Sequence, residues 1–315
     1  MSERTRRRCL TIGRWSFFVF GSALLIAACV QVVGEGRDRV SLIDLARNAP
    51  INLVIGLVLL PLANLAISAA AFHVLYRRFG RVGFAELVTL MGSAWLLNYL
   101  PFKPGMAGRF AYHRIVNGIE LKHSFRTLIE SMACSGLAAV IGLIACKSAN
   151  IGEWSDARFM ITMCMIAAGL IVSGCIAGRW RGYAGALTIV AGLRIADLIV
   201  WTMRYFAAFT IAGSPISGAQ ACLVACVSQA AMAIPLWGNG LGLREWSVGW
   251  VGSGVVASKA ATVGLGADLV NRAAELFTAL PIGIVCTIVA ARRAAVSTTR
   301  AGSTIQRAQD AGNDQ

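Results

Sequence analysis

Apolar residues run in long blocks along this chain: Trp15 to Val33, Ile51 to Tyr76, Phe84 to Leu100, Thr127 to Cys146, Phe159 to Ala177, Ala184 to Ala212, Ala219 to Pro235, Trp246 to Leu265 and Leu269 to Ala291. An α-helix needs roughly 20 apolar residues to cross a hydrocarbon core of about 30 Å, and most blocks are near that length. The pattern predicts an all-α polytopic membrane protein with about eight membrane-embedded helices, some of them re-entrant or broken. Two blocks are poor simple spans. Phe84 to Leu100 runs into Pro101-Phe102-Lys103-Pro104-Gly105, and the Ala219 block ends in Pro235-Leu236-Trp237-Gly238-Asn239-Gly240, sequences that break a helix.

Polar positions between the blocks set the expected orientation. Arg4, Arg6, Arg7, Arg8 and Arg14 precede the first block and keep residues 1–14 cytoplasmic. Ile26-Ala27-Ala28-Cys29 looks like a lipoprotein cleavage box, but so many later hydrophobic segments favour an uncleaved first span. Arg77, Arg78 and Arg81, then Arg179 and Arg181, then Arg292, Arg293, Arg300 and Arg307 place their segments inside, the C-terminus included. The 34–50 connection balances its charges and fits the outer side. Residues 101–126 carry Lys103, Arg109, Arg114, Lys122 and Arg126 against Glu120 alone and belong inside. The chain therefore enters Phe84 from inside and is inside again by Arg126, which predicts a re-entrant hairpin from Phe84 to about Gly118, with 101–108 at its tip or exit. By the same parity, 219–266 begins and ends outside, as a second hairpin or as two crossing helices. The halves, 15–146 and 159–293, then have inverted topology within one transmembrane domain.

The halves also share a motif. Pro101, Gly105, Gly108 and Arg109 stand in one; Pro235, Gly238, Gly240, Gly242, Arg244 and Glu245 stand in the other, and the Pro and Gly residues are expected to form structural turns. Each motif is followed by an apolar helix with an Arg and a Glu on one face, Arg126 with Glu130 and Arg272 with Glu275. Gly clusters let backbone amides face a buried ligand, and a neighbouring Arg suits a phosphate. Arg194, Asp197 and Arg204 lie on nearly one face of the 184–212 block. They read either as substrate-binding groups or as a packing ion pair with Arg204 snorkelling to the interface. Glu86 and Lys259 read as interfacial, and Trp180, Trp201, Trp237, Trp246 and Trp250 as membrane-belt residues.

Composition agrees with a membrane protein and excludes an ordinary soluble domain: 57% of the 315 residues are hydrophobic, 14% are charged and the mean hydropathy is +0.67. Net charge is +14, but the basic residues sit at the termini and between blocks, not on a solvated face, so nucleic acid is not an expected partner. The nine Cys lie mostly inside apolar blocks without metal-ligand spacing, and Cys222 and Cys226 read as packing. No metal or cofactor is expected. Metalloprotease, P-loop and nucleophile-elbow motifs are absent, so no enzyme is expected either. The tail, 294–315, is small and polar and reads as a disordered cytoplasmic segment.

The stretch AIPLWGNGLGLREWSVGWVGSGVVASKAATVGLGADLVNRAAEL resembles the C-terminal signature of the lysylphosphatidylglycerol synthase transmembrane-region family, and LNYLPFKPGMAGRFAYHRIVNGIELKHSFRTLIE resembles its other diagnostic region. The resemblance extends from Trp15 to Arg293, with Asn239 standing where the family usually has Gly. It implies a stand-alone lipid flippase without the synthase domain, multi-pass in the bacterial inner (cytoplasmic) membrane, acting on a phospholipid or a glycolipid or hopanoid-type lipid. On that reading Arg109, Arg244, Glu245, Arg272 and Glu275 line a polar groove. The partners implied are lipid headgroups, with a lipid-synthesising enzyme or glycosyltransferase and a second copy of the chain as further candidates. The alternative is a non-transporting membrane subunit that supports a separate lipid synthase or glycosyltransferase.

Overall fold

The computed structural model describes residues 19–32, 49–80, 82–100, 104–178, 182–233, 238–255 and 261–313. They form helices α1 (Val19–Val32), α2 (Ile51–Tyr76), α3 (Phe84–Leu97), α4 (Pro104–Val116), α5 (Leu121–Ile151), α6 (Asp156–Gly178), α7 (Tyr183–Ile211), α8 (Gly218–Ala233), α9 (Leu243–Val255) and α10 (Ala261–Asn313), with no strand among the described residues. Five helices, α2, α5, α6, α7 and the part of α10 from Ala261 to Val296, are long and apolar enough to cross a membrane, and α1, α3 and α8 are shorter apolar helices. The chain is a multi-pass helical membrane protein.

Helix α7 is the hub, with 56% of its most apolar window buried, more than in any other span. Glycines bring its neighbour α6 to backbone contact. A Cβ on Gly192 would lie 2.8 Å from the Ala167 carbonyl oxygen, and one on Gly174 2.8 Å from the Ile189 nitrogen. Small residues allow the close approach that drives helix association where lipid offers no hydrophobic force. Outward faces carry exposed Ile144, Ile161 and Met165, whereas the interior holds buried Arg, Asp and Glu side chains. Pro61 and Pro281 lie within α2 and α10. Pro61 has no N–H for the Leu57 carbonyl one turn back, and beside it the Val58 carbonyl accepts the Thr278 hydroxyl at 2.8 Å, a bond that ties α2 to α10.

Helix α5 spans 31 residues, roughly 46 Å at 1.5 Å per residue, so its ends mark two opposite faces of the molecule. Near its start lie the ends of α2 and α4 and the starts of α3 and α7: Ile119 packs with Tyr76 and Val82, and the Tyr183 hydroxyl donates to Glu130 Oε1 at 3.0 Å. At its far end, Asp156 Oδ1 accepts the Gly218 N–H at 2.6 Å, joining the starts of α6 and α8.

Two helical hairpins follow from this. Asn117, just after α4, donates to Glu86 at the start of α3 at 3.0 Å, closing the base of the α3–α4 hairpin at the first face. Gln220, at the start of α8, donates to the Val255 carbonyl at the end of α9 at 3.2 Å, closing the base of the α8–α9 hairpin at the second. Gly105 makes the first hairpin tight, since a Cβ there would stand 2.5 Å from the Ala94 carbonyl oxygen. Helix α1 packs on the second, with the Trp246 indole donating to the Leu24 carbonyl at 3.0 Å.

Two sequence expectations change. The 246–265 and 269–291 blocks divide elsewhere, because Asp268, which looks like an interruption, is buried inside α10 and paired with Arg244. Gly105 and Gly108 lie in the first turns of α4, not in a loop, since Pro104 has the fixed φ and missing donor that suit a helix start. Helix α10 runs past its apolar part to Asn313.

Candidate functional site

Helix α10 carries Asp268, Asn271, Arg272 and Glu275 at i, i+3, i+4 and i+7, a single polar stripe on one face. All four are buried, and the stripe faces α7, which presents Trp201, Arg204 and Tyr205. Between them the charges pair. Arg204 Nη2 reaches Glu275 Oε2 at 2.8 Å, and Arg244 Nη1 reaches the same oxygen at 3.1 Å while its Nε donates to Asp268 Oδ1 at 3.0 Å. Arg272 Nε stands 2.5 Å from Glu245 Oε1, an ion contact at an angle unsuited to a hydrogen bond. Three guanidiniums thus face three carboxylates, and the cluster is neutral. Removing a single member would leave an uncompensated buried charge, which is far costlier than the intact set.

Neutral groups complete the cluster. The Arg204 guanidinium lies 3.9 Å from the Trp201 ring centroid and also donates to Asn271 at 3.0 Å and to Asn64 at 3.2 Å. Asp268 Oδ1 accepts the Tyr205 hydroxyl at 2.7 Å. Both hairpin tips end here. From the first, the Trp95 indole and Tyr99 hydroxyl donate to Glu275 Oε1 at 3.1 and 2.9 Å. From the second, Asn239 Nδ2 lies 3.4 Å from the same oxygen, and the Asn239 carbonyl accepts Arg272 at 3.3 Å. The Glu275 carboxylate therefore joins α3, α7, α9, α10 and both tips.

The second tip depends on left-handed backbone. Asn239, Gly240 and Gly242 have φ of 47°, 71° and 78°. Gly tolerates this region freely, and Asn is the side-chain-bearing residue that enters it at least cost. Gly242 has a second constraint, because a Cβ would stand 2.5 Å from the Gly21 carbonyl oxygen of α1. Gly238 opens the same 3-10 turn, whereas Pro101 and Pro235 lie outside the described residues.

Other expected site residues form separate groups. Glu130 is held by Arg78, by Arg126 Nε at 2.8 Å and by Tyr183 at the first face, apart from the central cluster. On the same face Lys122 hydrogen-bonds Glu120 and holds that exposed carboxylate below its usual range. Arg194 and Asp197 make a loose ion contact at 3.8 Å; Asn64 donates to Asp197 at 2.7 Å and so links this pair to Arg204. Arg109 contacts Phe72, Phe110 and Met91 and none of the six central charges.

The structure alters two residue assignments. Arg204 is 1% exposed and does not snorkel, because Glu275, Asn64 and Asn271 satisfy it in place. Trp201 is a buried partner of Arg204, not a belt residue, whereas Trp250 is exposed. Asn64, Trp95, Tyr99, Tyr205, Asp268 and Asn271 are site residues that sequence reasoning passed over. The α10 stripe was the available signal: Asp268 and Asn271 precede Arg272 and Glu275 at helical spacing. Trp95 and Tyr99 had no comparable signal, since an aromatic in an apolar block ordinarily packs. Among the described residues no group of three or more His, Cys, Asp or Glu is placed to hold a metal ion. No protein-family model, curated protein or solved structure matches the chain.

Proposed function

We propose that this protein moves a phospholipid, or a glycolipid or hopanoid-type lipid, between the leaflets of a bacterial inner membrane. The observation that carries the reading is the neutral cluster around Glu275, buried among membrane helices at the point where two hairpin tips meet. Ionisable groups at such depth are costly and mark substrate paths. Several of their atoms have no hydrogen-bond partner among the described residues: Arg244 Nη2, Asn271 Nδ2, Asp268 Oδ2 and Glu245 Oε2. Two are donors and two are carboxylate oxygens, a set that suits the phosphate and the cationic group of a zwitterionic headgroup together.

The mechanism we infer is exchange of ion pairs. A headgroup phosphate takes the place of Glu275 on Arg244 or Arg204, and a headgroup cation takes a released carboxylate, so no charge is left unpaired in the membrane. The hairpins are the moving parts, each closing the cluster toward one face. In this reading the two halves are inverted repeats with about eight membrane-embedded segments, as broken helices meeting near the midplane of transporters imply. The first face, with Arg77, Arg78, Arg114, Lys122, Arg292 and Arg293, is cytoplasmic by the positive-inside rule. The resemblance to the lysylphosphatidylglycerol synthase transmembrane region leads to the same function.

Purified protein in liposomes containing fluorescent phospholipid and glycolipid analogues tests this directly. Faster access of a membrane-impermeant quencher to inner-leaflet label than in empty liposomes, lost in folded Arg244→Ala protein, is the expected result. No acceleration with any headgroup shifts the assignment to an accessory subunit of a lipid synthase or glycosyltransferase.

A further inference from the structure

Arg109 differs from every other deeply buried arginine described. Arg194, Arg204, Arg244 and Arg272 each have a carboxylate within ion-pair distance, and Arg109 has none among the described residues. It is 7% exposed, and its guanidinium stacks 4.3 Å from the Phe72 centroid. One amine lies 3.3 Å from the Met91 sulfur, a weak acceptor, and Nε has no partner among the described residues. A cation–π contact and a thioether do not offset the burial of a full charge.

Its surroundings increase the excess. Arg194 lies 5.8 Å from the same Phe72 ring, so the two guanidiniums are neighbours. Arg194 is fixed by Ser68 at 3.1 Å and Ser131 at 2.5 Å, and its Nε also lacks a partner among the described residues. Asp197, at 3.8 Å, is shared with Asn64 and balances one of the two cations. Tyr76 stacks on the same Phe72 at 6.2 Å and lies 4.2 Å from the ring of His113, one helical turn from Arg109, and its hydroxyl is another buried group without a partner among the described residues. Arg109 Nε, Arg194 Nε and Tyr76 Oη are all groups able to donate, and one positive charge remains over. Polar groups gathered in this way fit an oxyanion.

We propose that Arg109, Arg194 and Tyr76 form a second anion site, distinct from the Glu275 cluster, that takes one monoanionic phosphodiester. Arg109 stands on α4 between the hairpin base at Asn117 and the tip at Tyr99. The site is therefore an intermediate station between the basic face and the cluster. Its anion specificity follows from the side chains alone, whereas the lipid source of the anion rests on the translocation reading above.

The test uses full-length protein in neutral detergent. Three probes are titrated separately by calorimetry: water-soluble dihexanoylphosphatidylglycerol, inorganic phosphate and uncharged dihexanoylglycerol. Wild-type protein is expected to bind the phosphodiester and not the uncharged lipid. Arg109→Gln should weaken binding roughly tenfold to a hundredfold, the weight of a hydrogen bond to a charged group. Arg109→Lys should recover part of it, and Glu120→Gln, at the exposed first face and outside both sites, should leave it intact. Tyr76→Phe, which removes a single hydroxyl, provides a second variant and should weaken the same binding. Equal binding of inorganic phosphate supports the anion site and assigns it to free phosphate. No binding by wild type, or unchanged binding in both Arg109→Gln and Tyr76→Phe, overturns the proposal. Phosphodiester binding by a protein that moves no lipid in liposomes retains the anion site and removes the translocation reading.

Discussion

The hydroxyl of Tyr99 donates to Oε1 of Glu275 at 2.9 Å, across 176 positions of sequence, and so seats the tip of the first hairpin on the stripe of the last helix. Glu275 Oε2 meanwhile holds Arg204 and Arg244. Glu275→Ala leaves these two cations short of a counter-charge in the protein interior and should cost about 3–5 kcal/mol. A fall in the detergent-solubilised melting temperature, larger than for Glu120→Ala at the exposed first face, is the expected outcome. Equal melting of the two variants would show that the cluster does not hold the fold.

Helix α4 offers a paired steric test. A Cβ at Gly105 would stand 2.5 Å from the Ala94 carbonyl oxygen, but at Gly108 it would meet nothing within 4 Å. Gly105→Ala should therefore destabilise by about 1–3 kcal/mol through overpacking. Gly108→Ala should stabilise by up to about 1 kcal/mol through helix propensity. Thermal unfolding of both proteins reads the difference in sign, and two losses of similar size would contradict the α3–α4 packing.

The left-handed Asn239 gives an informative series. Asn239→Gly keeps the backbone and loses only the side-chain contact with Glu275, whereas Asn239→Ala forces a Cβ-bearing residue without local hydrogen bonding to φ 47°, at about 1–2 kcal/mol. The Gly variant should be the more stable of the two. An Ala variant as stable as the Gly variant would mean that the turn has another conformation.

Much of this architecture was legible. Long apolar blocks mark the spans because bilayer thickness sets a helix length, and charge parity at Arg77, Arg78 and Arg126 points to the α3–α4 hairpin that Asn117 and Glu86 close. The cluster was legible in its charged half: Arg204, Arg272 and Glu275 are conspicuous because charge inside an apolar block is costly, and Arg244 and Glu245 because they close the Gly-rich motif between two blocks. Asp268 was hidden, since in a hydropathy pattern a single carboxylate looks like the end of a span until its partner Arg244 is seen. Tyr99 and Trp95 were hidden for a different reason, because the hydrogen bonds that give them a role depend on how the hairpin tip docks. Arg109 was singled out as a groove residue, yet its distinction, a buried charge without a carboxylate, is a property of the fold and not of its motif.

Orientation is open to chemical labelling. In a cysteine-reduced background, Lys122→Cys and Arg292→Cys should be shielded from a membrane-impermeant maleimide in intact cells and react after permeabilisation. Glu153→Cys, at the opposite end of α5, should react in intact cells. The reverse pattern would invert the assigned topology.

The central claim is that a headgroup crosses through the Glu275 cluster and that the hairpin tips part to admit it. Tyr99 and Asn239 both reach Glu275 Oε1, from different hairpins, so a Tyr99→Cys, Asn239→Cys protein can be bridged with a short bis-methanethiosulfonate, which links the two thiols through reducible disulfides. Lipid movement in liposomes is then measured before bridging, after it, and after reduction. The account predicts movement that stops on bridging and returns on reduction, and equal rates in the bridged and reduced protein would contradict it.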